Sequence, residues 1–319
     1  MIKILLTGSS GFIGTNITLA FKVRYNILCI DQQPPKNKLL NEFWVKVDIT
    51  DFNALKTVVL SFNPDYIIHL AARTDLDGSF LNDYSANILG VENLMRILPL
   101  LTNLKKIIIT SSMLVCRVGY YPKNQFDYSP STLYGKSKVK TEEIVWNNKP
   151  HCDWAIIRPT SIWGPWFGIP YRSFFDRVIA HQYFHIGKKG CTKTYGYIGN
   201  SIYQIEQILF SNTQDESKKV FYIGDNPPTN IEEWANEIAN ELGYKIKRMP
   251  WCLLRLAAWG GDLLKLVGVS FPMTSFRLKN MTKNNIIDLT NTYDIAPNPP
   301  YSRAEGIHKT LEWIRSKKM

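Results

Sequence analysis

Tyr134 and Lys138 are the residues of this sequence whose types and spacing point most directly to catalysis. Residues four apart lie on one face of an α-helix, one turn from each other. A lysine cation at that distance favours the ionised form of a phenol, which lowers the phenol's pKa and makes it usable as a base near neutral pH. The pair therefore predicts a site in which a tyrosine exchanges a proton with a substrate.

A glycine-rich segment near the N-terminus predicts a dinucleotide-binding turn. Gly8, Gly11 and Gly14 follow an apolar run over residues 2–7 and open a helical pattern that extends to residue 22. Glycines in this position allow a tight turn and let a pyrophosphate approach the backbone at the N-terminus of a helix. With the tyrosine–lysine pair further along the chain, the turn predicts redox chemistry on a nicotinamide cofactor.

Asp31 indicates which nicotinamide cofactor is used. It closes the second apolar run, residues 26–30, and is followed by two neutral glutamines. A carboxylate there accepts hydrogen bonds from both hydroxyls of the adenosine ribose and repels a 2′-phosphate. The position favours NAD, while Lys36 and Lys38 keep NADP open as the alternative.

The elements that must position these residues alternate between strand and helix. The predicted strands are residues 2–7, 26–30, 45–48, 66–70, 106–110 and 154–158, with helical patterns between them, one of which Asp51 caps. This alternation predicts an α/β fold with a doubly wound, parallel, Rossmann-type sheet. After Pro159 the alternation loosens, so we expect an NAD-binding domain over residues 1–160. Residues 161–319 would form mainly a smaller substrate-binding lobe, with some strands returning to the sheet and a cleft between the lobes.

Composition limits the function classes. The 319 residues include five cysteines without a CxxC pair, and the histidines lack metal-ligand spacing, so a disulfide framework and a metal site are not expected. The net charge of +11 is explained by lysines on solvated faces, by an anionic substrate or by an anionic membrane surface. No nucleic-acid motif occurs, and we expect a cytoplasmic protein.

These motifs resemble the extended short-chain dehydrogenase/reductase family of NAD-dependent sugar epimerases and dehydratases. The pattern is closest to the branch of polyprenyl-diphospho-N-acetylglucosamine and UDP-sugar 4-epimerases. The matching segments are residues 7–14, 48–49, 69–72, Asn87, 110–112, 134–138 and 158–165. The resemblance implies NAD as cofactor and an activated sugar as substrate.

The same resemblance implies roles for individual residues. Tyr134 is the general base and acid, Lys138 binds the nicotinamide ribose, and Ser112 hydrogen-bonds the reacting oxygen, with Ser111 as the alternative. The implied cofactor contacts are Gly8, Gly11, Phe12, Ile13, Gly14, Asp31, Asp48, Ile49, Ala71, Lys138 and Pro159. The implied substrate contacts are Ser112, Tyr134, Ser161, Arg172 and Arg277, the two arginines as ligands of a pyrophosphate.

One departure from the family pattern narrows the reaction. Dehydratases carry an Asp–Glu pair where this chain has Met113 and Leu114, so 4,6-dehydration is not expected. The remaining hypothesis is epimerisation at C4 of an activated hexose, linked to a nucleotide or to a polyprenyl diphosphate. The alternatives are a reductase of a 4-keto-deoxy-sugar nucleotide and a non-catalytic NAD-binding subunit.

A segment near residues 251–265 carries a broad apolar face. Arg255, Asp262 and Lys265 form a narrow polar stripe on a predicted helix whose other positions are largely apolar. The run is shorter than the ~20 apolar residues that a membrane span needs. The face therefore packs in the core or a homodimer interface, or it lies on the inner surface of the membrane.

Overall fold

The computed structural model contains a seven-stranded parallel sheet at its centre. The structure describes residues 1–169, 171–186, 190–212, 215–250, 255, 259–262 and 283–317. The strands of the sheet are β1 (Lys3–Thr7), β2 (Asn26–Asp31), β3 (Trp44–Lys46), β4 (Tyr66–His69), β5 (Lys106–Thr110), β6 (Asp153–Pro159) and β11 (Val220–Ile223). Their order, β11-β6-β5-β4-β1-β2-β3, confirms the predicted Rossmann-type sheet.

Helices connect the strands and extend into the second half of the chain. They are α1 (Phe12–Phe21), α2 (Phe52–Phe62), α3 (Ser85–Ile97), α4 (Leu133–Asn148), α5 (Tyr171–Ile179), α6 (Ile198–Phe210), α7 (Ile231–Glu241), α8 (Thr290–Ile295) and α9 (Arg303–Ser316). Three short strand pairs lie outside the main sheet: β7 (Ser161–Trp163) with β10 (Tyr195–Tyr197), β8 (His185–Ile186) with β13 (Arg248–Met249), and β9 (Thr192–Lys193) with β12 (Thr229–Asn230).

Side chains along each strand point alternately to the two faces of the sheet, which divides the core into two layers. Leu5 of β1 packs on one face of the sheet with residues of α2, α3 and α4, whereas its neighbours Ile4 and Leu6 pack on the other face with α1 and α6. Both layers are buried because helices cover both faces of a parallel sheet. A binding site can therefore form at the ends of the strands and in the loops that follow them.

The second half of the chain contributes to this core. β11 pairs with β6, so a strand from residues 220–223 completes the main sheet. The aromatic side chains of Trp163, Phe175 and Trp234 pack on one another and belong to the same apolar cluster as α1 and α6. The division of the chain at residue 160 stays a prediction.

Local sequence signals set the helix ends near the sheet. Asp51 caps α2 because its Oδ1 accepts hydrogen bonds from the backbone N–H groups of Asn53 and Ala54, both at 3.0 Å, which confirms the predicted cap. In the part of the chain that the structure describes, no helix combines the length and apolarity of a membrane span. Arg277 and most of the predicted apolar face of residues 251–265 lie outside the described residues.

Candidate active site

A long groove runs along the carboxyl edge of the sheet and has a volume of about 500 Å³. Parallel α/β sheets place ligands at this edge, outside the ends of the strands. The groove is lined by twelve residues that the sequence assigned to a site, which are Gly8, Gly11, Phe12, Ile13, Gly14, Asp31, Ile49, Ala71, Ser112, Tyr134, Lys138 and Pro159. The structure thus brings the glycine-rich turn and the tyrosine–lysine pair to a single cavity.

The glycine-rich turn joins β1 to α1 at one end of the groove. Gly8 has φ 71°, and a Cβ at this residue would lie 2.5 Å from the backbone nitrogen of Ala71, so only glycine fits. Gly11 caps α1 without a side chain, and the first turn of α1 carries no acidic residue. The backbone N–H groups of that turn are therefore suited to an anion such as a pyrophosphate.

Asp31 lies beside this turn at the end of β2. Its Oδ2 accepts a hydrogen bond from the backbone N–H of Ser10 at 3.0 Å, and its Oδ1 accepts one from the backbone N–H of Gln33 at 2.9 Å. Because a carboxylate has about four lone-pair sites, these two bonds orient the carboxylate and leave capacity for ribose hydroxyls. Asp31, Gln32 and Gln33 all line the groove.

The residues after β3 and β4 form the next part of the wall. Ile49 lines the groove, whereas the carboxylate of Asp48 turns to Thr50 and accepts hydrogen bonds from its backbone N–H at 2.8 Å and its hydroxyl at 2.7 Å. Ala71 is held by its N–H donating to Thr7 Oγ1 at 3.1 Å. The apolar side chain of Ile49, next to the turn that the Asp48 carboxylate holds, is suited to a flat base such as adenine.

Tyr134, Ser112 and Lys138 meet at the other end of the groove. Thr132 caps α4 by accepting a hydrogen bond from the N–H of Gly135 at 2.9 Å. A Cβ on Gly135 would lie 2.2 Å from the carbonyl oxygen of Leu114, so this glycine lets the first turn of α4 pack against the turn after Ser112. The close packing brings the Tyr134 phenol near the Ser112 side chain, whose Oγ accepts a hydrogen bond from the N–H of Leu114 at 3.1 Å.

Burial shifts the pKa values of both Tyr134 and Lys138. The predicted lowering of the Tyr134 pKa is wrong for this structure: burial raises the pKa to about 12, and the Ser112 side chain acts in the opposite direction. Burial lowers the pKa of Lys138 to about 8, against the attraction of the Glu142 carboxylate. Lys138 donates to the carbonyl oxygen of Thr110 at 2.8 Å. At neutral pH the lysine is thus mainly charged and the phenol protonated.

A buried ion pair fixes this end of the groove and was not identified from the sequence. Arg158 of β6 donates two hydrogen bonds to Glu142 of α4, at 2.8 and 2.7 Å, and both side chains are buried. Ser111, next to Ser112, donates to the same carboxylate. The spacing of four between Lys138 and Glu142 was the available signal, because it places both on one helix face.

Asn87 connects α3 to both walls of the groove. Its Nδ2 donates to the carbonyl oxygen of Arg73 at 3.0 Å and to Ser137 Oγ at 2.9 Å, and its Oδ1 accepts from the N–H of Arg73 at 2.7 Å. Arg73 and Thr110 also line the groove, and the sequence analysis assigned a role to neither of them. Thr110 Oγ1 is buried and has no hydrogen-bond partner among the described residues, so a ligand in the groove would find a free hydroxyl there.

The second half of the chain contains three predicted substrate contacts, Ser161, Arg172 and Arg277. Ser161 lies one residue beyond the groove-lining Thr160, and its Oγ accepts a hydrogen bond from the Tyr171 phenol at 2.8 Å. Arg172 does not line the groove: its Nε donates to Asp176 at 2.8 Å, and its guanidinium lies over the Trp313 ring. Arg277 is outside the described residues.

Comparison with known proteins identifies the family. The sequence profile of the NAD dependent epimerase/dehydratase family matches residues 4–200, which include every residue placed in the groove. This chain belongs to that family.

Two relatives match nearly the whole chain. The N-acetyl-alpha-D-glucosaminyl-diphospho-ditrans,octacis-undecaprenol 4-epimerase of Escherichia coli O157:H7 is 27% identical over 99% of this chain and 97% of its own length. A 3-beta-hydroxysteroid dehydrogenase of Mycolicibacterium neoaurum is 27% identical over 98% of this chain and 91% of its own.

Solved structures share the fold. A UDP-glucose 4-epimerase of Thermotoga maritima, determined with UDP-glucose, superposes with a TM-score of 0.75 at 19% identity and covers 100% of both chains. A UDP-glucuronic acid 4-epimerase of Bacillus cereus, determined with NAD, gives a TM-score of 0.74 at 18% identity over 99% of both chains. The protein is accordingly an NAD-dependent enzyme of the sugar epimerase and oxidoreductase type.

Proposed function

We propose that this enzyme interconverts the C4 epimers of a hexose that is activated by a diphosphate, linked to a nucleoside or to a polyprenol. The observation that carries the proposal is the meeting of Tyr134, Ser112 and Lys138 in the groove that also contains the glycine-rich turn. Bound NAD supplies an acceptor for a hydride that can be returned to the same carbon. The 4-epimerase among the relatives supports the choice of reaction.

Three side chains carry the proton chemistry in this proposal. Tyr134 takes the proton of the sugar hydroxyl and returns it to the keto oxygen, while Ser112 hydrogen-bonds the same oxygen. The high pKa of the buried phenol suits proton donation, and its use as a base requires nearby positive charge. Lys138 supplies such a charge one helical turn away, because its pKa of about 8 keeps it mainly protonated at neutral pH.

The rest of the groove would hold the cofactor. In this proposal the turn at residues 8–14 binds the pyrophosphate, and Asp31 binds the adenosine ribose. Ile49, with Asp48 behind it, borders the adenine, and Ala71 and Pro159 border the nicotinamide end together with Lys138. The free buried hydroxyl of Thr110 adds a hydrogen-bonding position at that end.

The residues after Ser112 support epimerisation over dehydration. Met113 and Leu114 line a second cavity of about 190 Å³ beside the turn, and neither can donate or accept a proton. Removal of water from a 4-keto sugar needs a base at the proton of C5 and an acid at the hydroxyl that leaves C6. We therefore assign no dehydratase step to this site.

The test is an incubation of purified enzyme without added cofactor or reductant. UDP-N-acetylglucosamine and a polyprenyl-diphospho-N-acetylglucosamine are supplied separately, and the 4-epimers are quantified by chromatography. We expect one of them to reach a stable mixture of 4-epimers without net production of NADH. Turnover only with a 4-keto sugar, with one NAD(P)H consumed per sugar, would instead assign a reductase.

A polyprenyl carrier would bring the reaction to the inner face of the membrane. The net charge of +11 supports attachment to an anionic surface, with about 1 kcal/mol for each lysine or arginine close to it. Co-sedimentation with anionic vesicles should then be strong at low salt and weak at high salt. Protein that stays in the supernatant at low salt would favour a nucleotide carrier.

A further inference from the structure

The second cavity lies directly behind the reaction end of the groove. Ser112, which lines the groove, also caps the short turn Met113–Val115, because its Oγ accepts a hydrogen bond from the N–H of Leu114. Met113 and Leu114 in turn line the second cavity, whose volume is about 190 Å³. A single turn of chain therefore separates this cavity from the hydroxyl that contacts the reacting oxygen in the proposed reaction, and no step of that reaction uses the cavity.

The wall of the second cavity consists mainly of apolar side chains. It is formed by the loop of residues 113–122 and the segment 285–288, together with Tyr222 of β11. The apolar members of the wall are Met113, Leu114, Cys116, Val118, Pro122, Ile286 and Ile287. Such a wall gains free energy by removing hydrocarbon from water.

Four polar side chains of the same wall are bonded within the protein. Each has an oxygen that takes part in a hydrogen bond of 2.6–3.0 Å, and the pairs are Tyr120 with Asp127, Tyr222 with Arg158, Asn285 with the N–H of Gly119, and Asp288 with Thr290. A nucleobase buried in a cavity needs partners for its polar edge. The cavity is therefore better suited to a hydrocarbon chain than to a nucleoside.

Two cations border the cavity at the loop. Arg117 lines it, and its guanidinium lies over the ring of Tyr120 and donates one hydrogen bond, to Ser129 Oγ at 2.9 Å. Within the residues that the structure describes, Arg117 forms no ion pair, so most of its N–H groups are available to an anion. Lys283 is bound to the same loop, because its Nζ donates to the carbonyl oxygen of Val118 at 3.1 Å.

The cavity also opens to the surface. Tyr121 and Ile286 both line it, yet 63% of Tyr121 and 41% of Ile286 are exposed. Large apolar side chains at an opening allow a hydrocarbon chain that is longer than the cavity to continue outward.

We propose that the second cavity binds the first part of the isoprenoid chain of a polyprenyl-diphosphate-linked sugar, with Arg117 as a ligand of the diphosphate. This inference rests on the proposed epimerase function and selects one of the two carriers that the function allows. The three parts of such a substrate follow the order of the chemistry on the protein. The sugar lies beside Ser112, the diphosphate meets Arg117, and the chain lies between residues 113–122 and 285–288.

The test is a calorimetric titration of the NAD-saturated enzyme with inorganic pyrophosphate, geranyl diphosphate, farnesyl diphosphate and UDP. Bound NAD occupies the glycine-rich turn and so prevents a diphosphate from binding there. Affinity should rise with chain length, at least about tenfold from geranyl to farnesyl diphosphate, because the added isoprene unit buries apolar surface. UDP should bind at least about tenfold more weakly than farnesyl diphosphate.

Two variants with matched controls locate the binding site. Arg117→Gln should weaken farnesyl diphosphate binding roughly tenfold, the effect of one lost charge-assisted hydrogen bond. Its control is Arg96→Gln, because Arg96 also lies over a ring, that of Phe52, but lines neither cavity nor groove. Ile286→Ser should weaken binding at least about threefold, whereas Leu89→Ser, at a leucine that is 44% exposed and outside the cavity, should not. All four variants should bind NAD as the wild type does.

Farnesyl diphosphate that binds no more tightly than pyrophosphate, or equally well to wild type and Arg117→Gln, would overturn the proposal. Epimerisation of the UDP-linked sugar alone would also overturn it and would leave the epimerase function intact. If neither sugar is epimerised, the epimerase function is refuted, and the proposal, which names the carrier of that reaction, is refuted with it.

Discussion

Two buried lysines at opposite edges of the same sheet have similar pKa values and different surroundings. Lys138 faces the groove at the carboxyl edge, and Lys106 begins β5 at the amino edge. Each is about 2% exposed, and burial lowers the pKa of each to about 8. Lys106, however, is within 3.2 Å of the Asp153 carboxylate and donates to the carbonyl oxygen of Ser211 at 2.9 Å.

The comparison shows that a shifted pKa alone does not identify a catalytic lysine. The carboxylate that Lys106 contacts is also bound by Lys219 at 3.0 Å, so the amino edge carries a compact structural ion-pair cluster. Lys138 has a carbonyl partner, a tyrosine one turn away and a cavity in front of it. Position at the carboxyl edge, where loops leave room for ligands, distinguishes the functional lysine.

The largest effect expected from this comparison concerns the tyrosines of the two edges. Tyr134→Phe should lower turnover about 10²–10⁴-fold, because a positioned acid–base group is lost, while NAD binding and folding persist. The matched control is Tyr66→Phe, which changes a tyrosine at the first position of β4, on the amino edge. Turnover and NAD affinity are measured for both. Near-normal turnover by Tyr134→Phe would remove the proton-transfer role from this residue.

The two lysines should separate activity from stability. Lys138→Met is expected to lose turnover about 10²-fold, because the charge beside Tyr134 disappears. Lys106→Met should keep its turnover and lose about 1–3 kcal/mol of unfolding free energy, because Asp153 then loses one of its lysines. Steady-state kinetics and denaturant unfolding of both variants provide the check. Equal losses of activity would contradict the distinction between the two edges.

A smaller effect, on the preference for NAD over NADP, is expected at Asp31 in the cofactor end of the groove. The carboxylate would lie against a 2′-phosphate, so NAD should bind at least about tenfold more tightly than NADP, and Asp31→Asn should reduce that preference. Titration of both cofactors into wild type and variant measures this difference. Tighter binding of NADP by the wild type would indicate that Lys36 or Lys38 decides the preference.

The smallest effect is the change in KM for the sugar that we expect on substitution of Arg172. Its guanidinium is occupied by Asp176 and packs over Trp313, away from the groove lining. Arg172→Gln should therefore change KM for the sugar less than about twofold, within the range of a partly exposed ion pair. A tenfold rise in KM would restore Arg172 as a ligand of the substrate's diphosphate.

The parts of the site that could be predicted are those whose residues lie close together in the sequence. The glycine-rich turn and the spacing of Tyr134 and Lys138 are local patterns, and both predicted their elements and their shared groove. The pair Glu142–Arg158 and the bond between Tyr171 and Ser161 depend on how α4, α5 and the strand ends pack, so only the three-dimensional arrangement shows them. Arg172 shows the opposite case. Its spacing of four from Asp176 already indicates an ion pair on one helix face.

The fate of the hydrogen on C4 tests the central claim most directly. The 4-epimerisation substrate is prepared with deuterium at C4 and converted by the enzyme in ordinary water, and the product is analysed by mass spectrometry. The account predicts that the deuterium is retained in the epimerised product, because the hydride is held in the groove and returned to the same carbon. Loss of the deuterium to solvent would contradict transient oxidation at C4 and the roles assigned to Tyr134, Ser112 and Lys138.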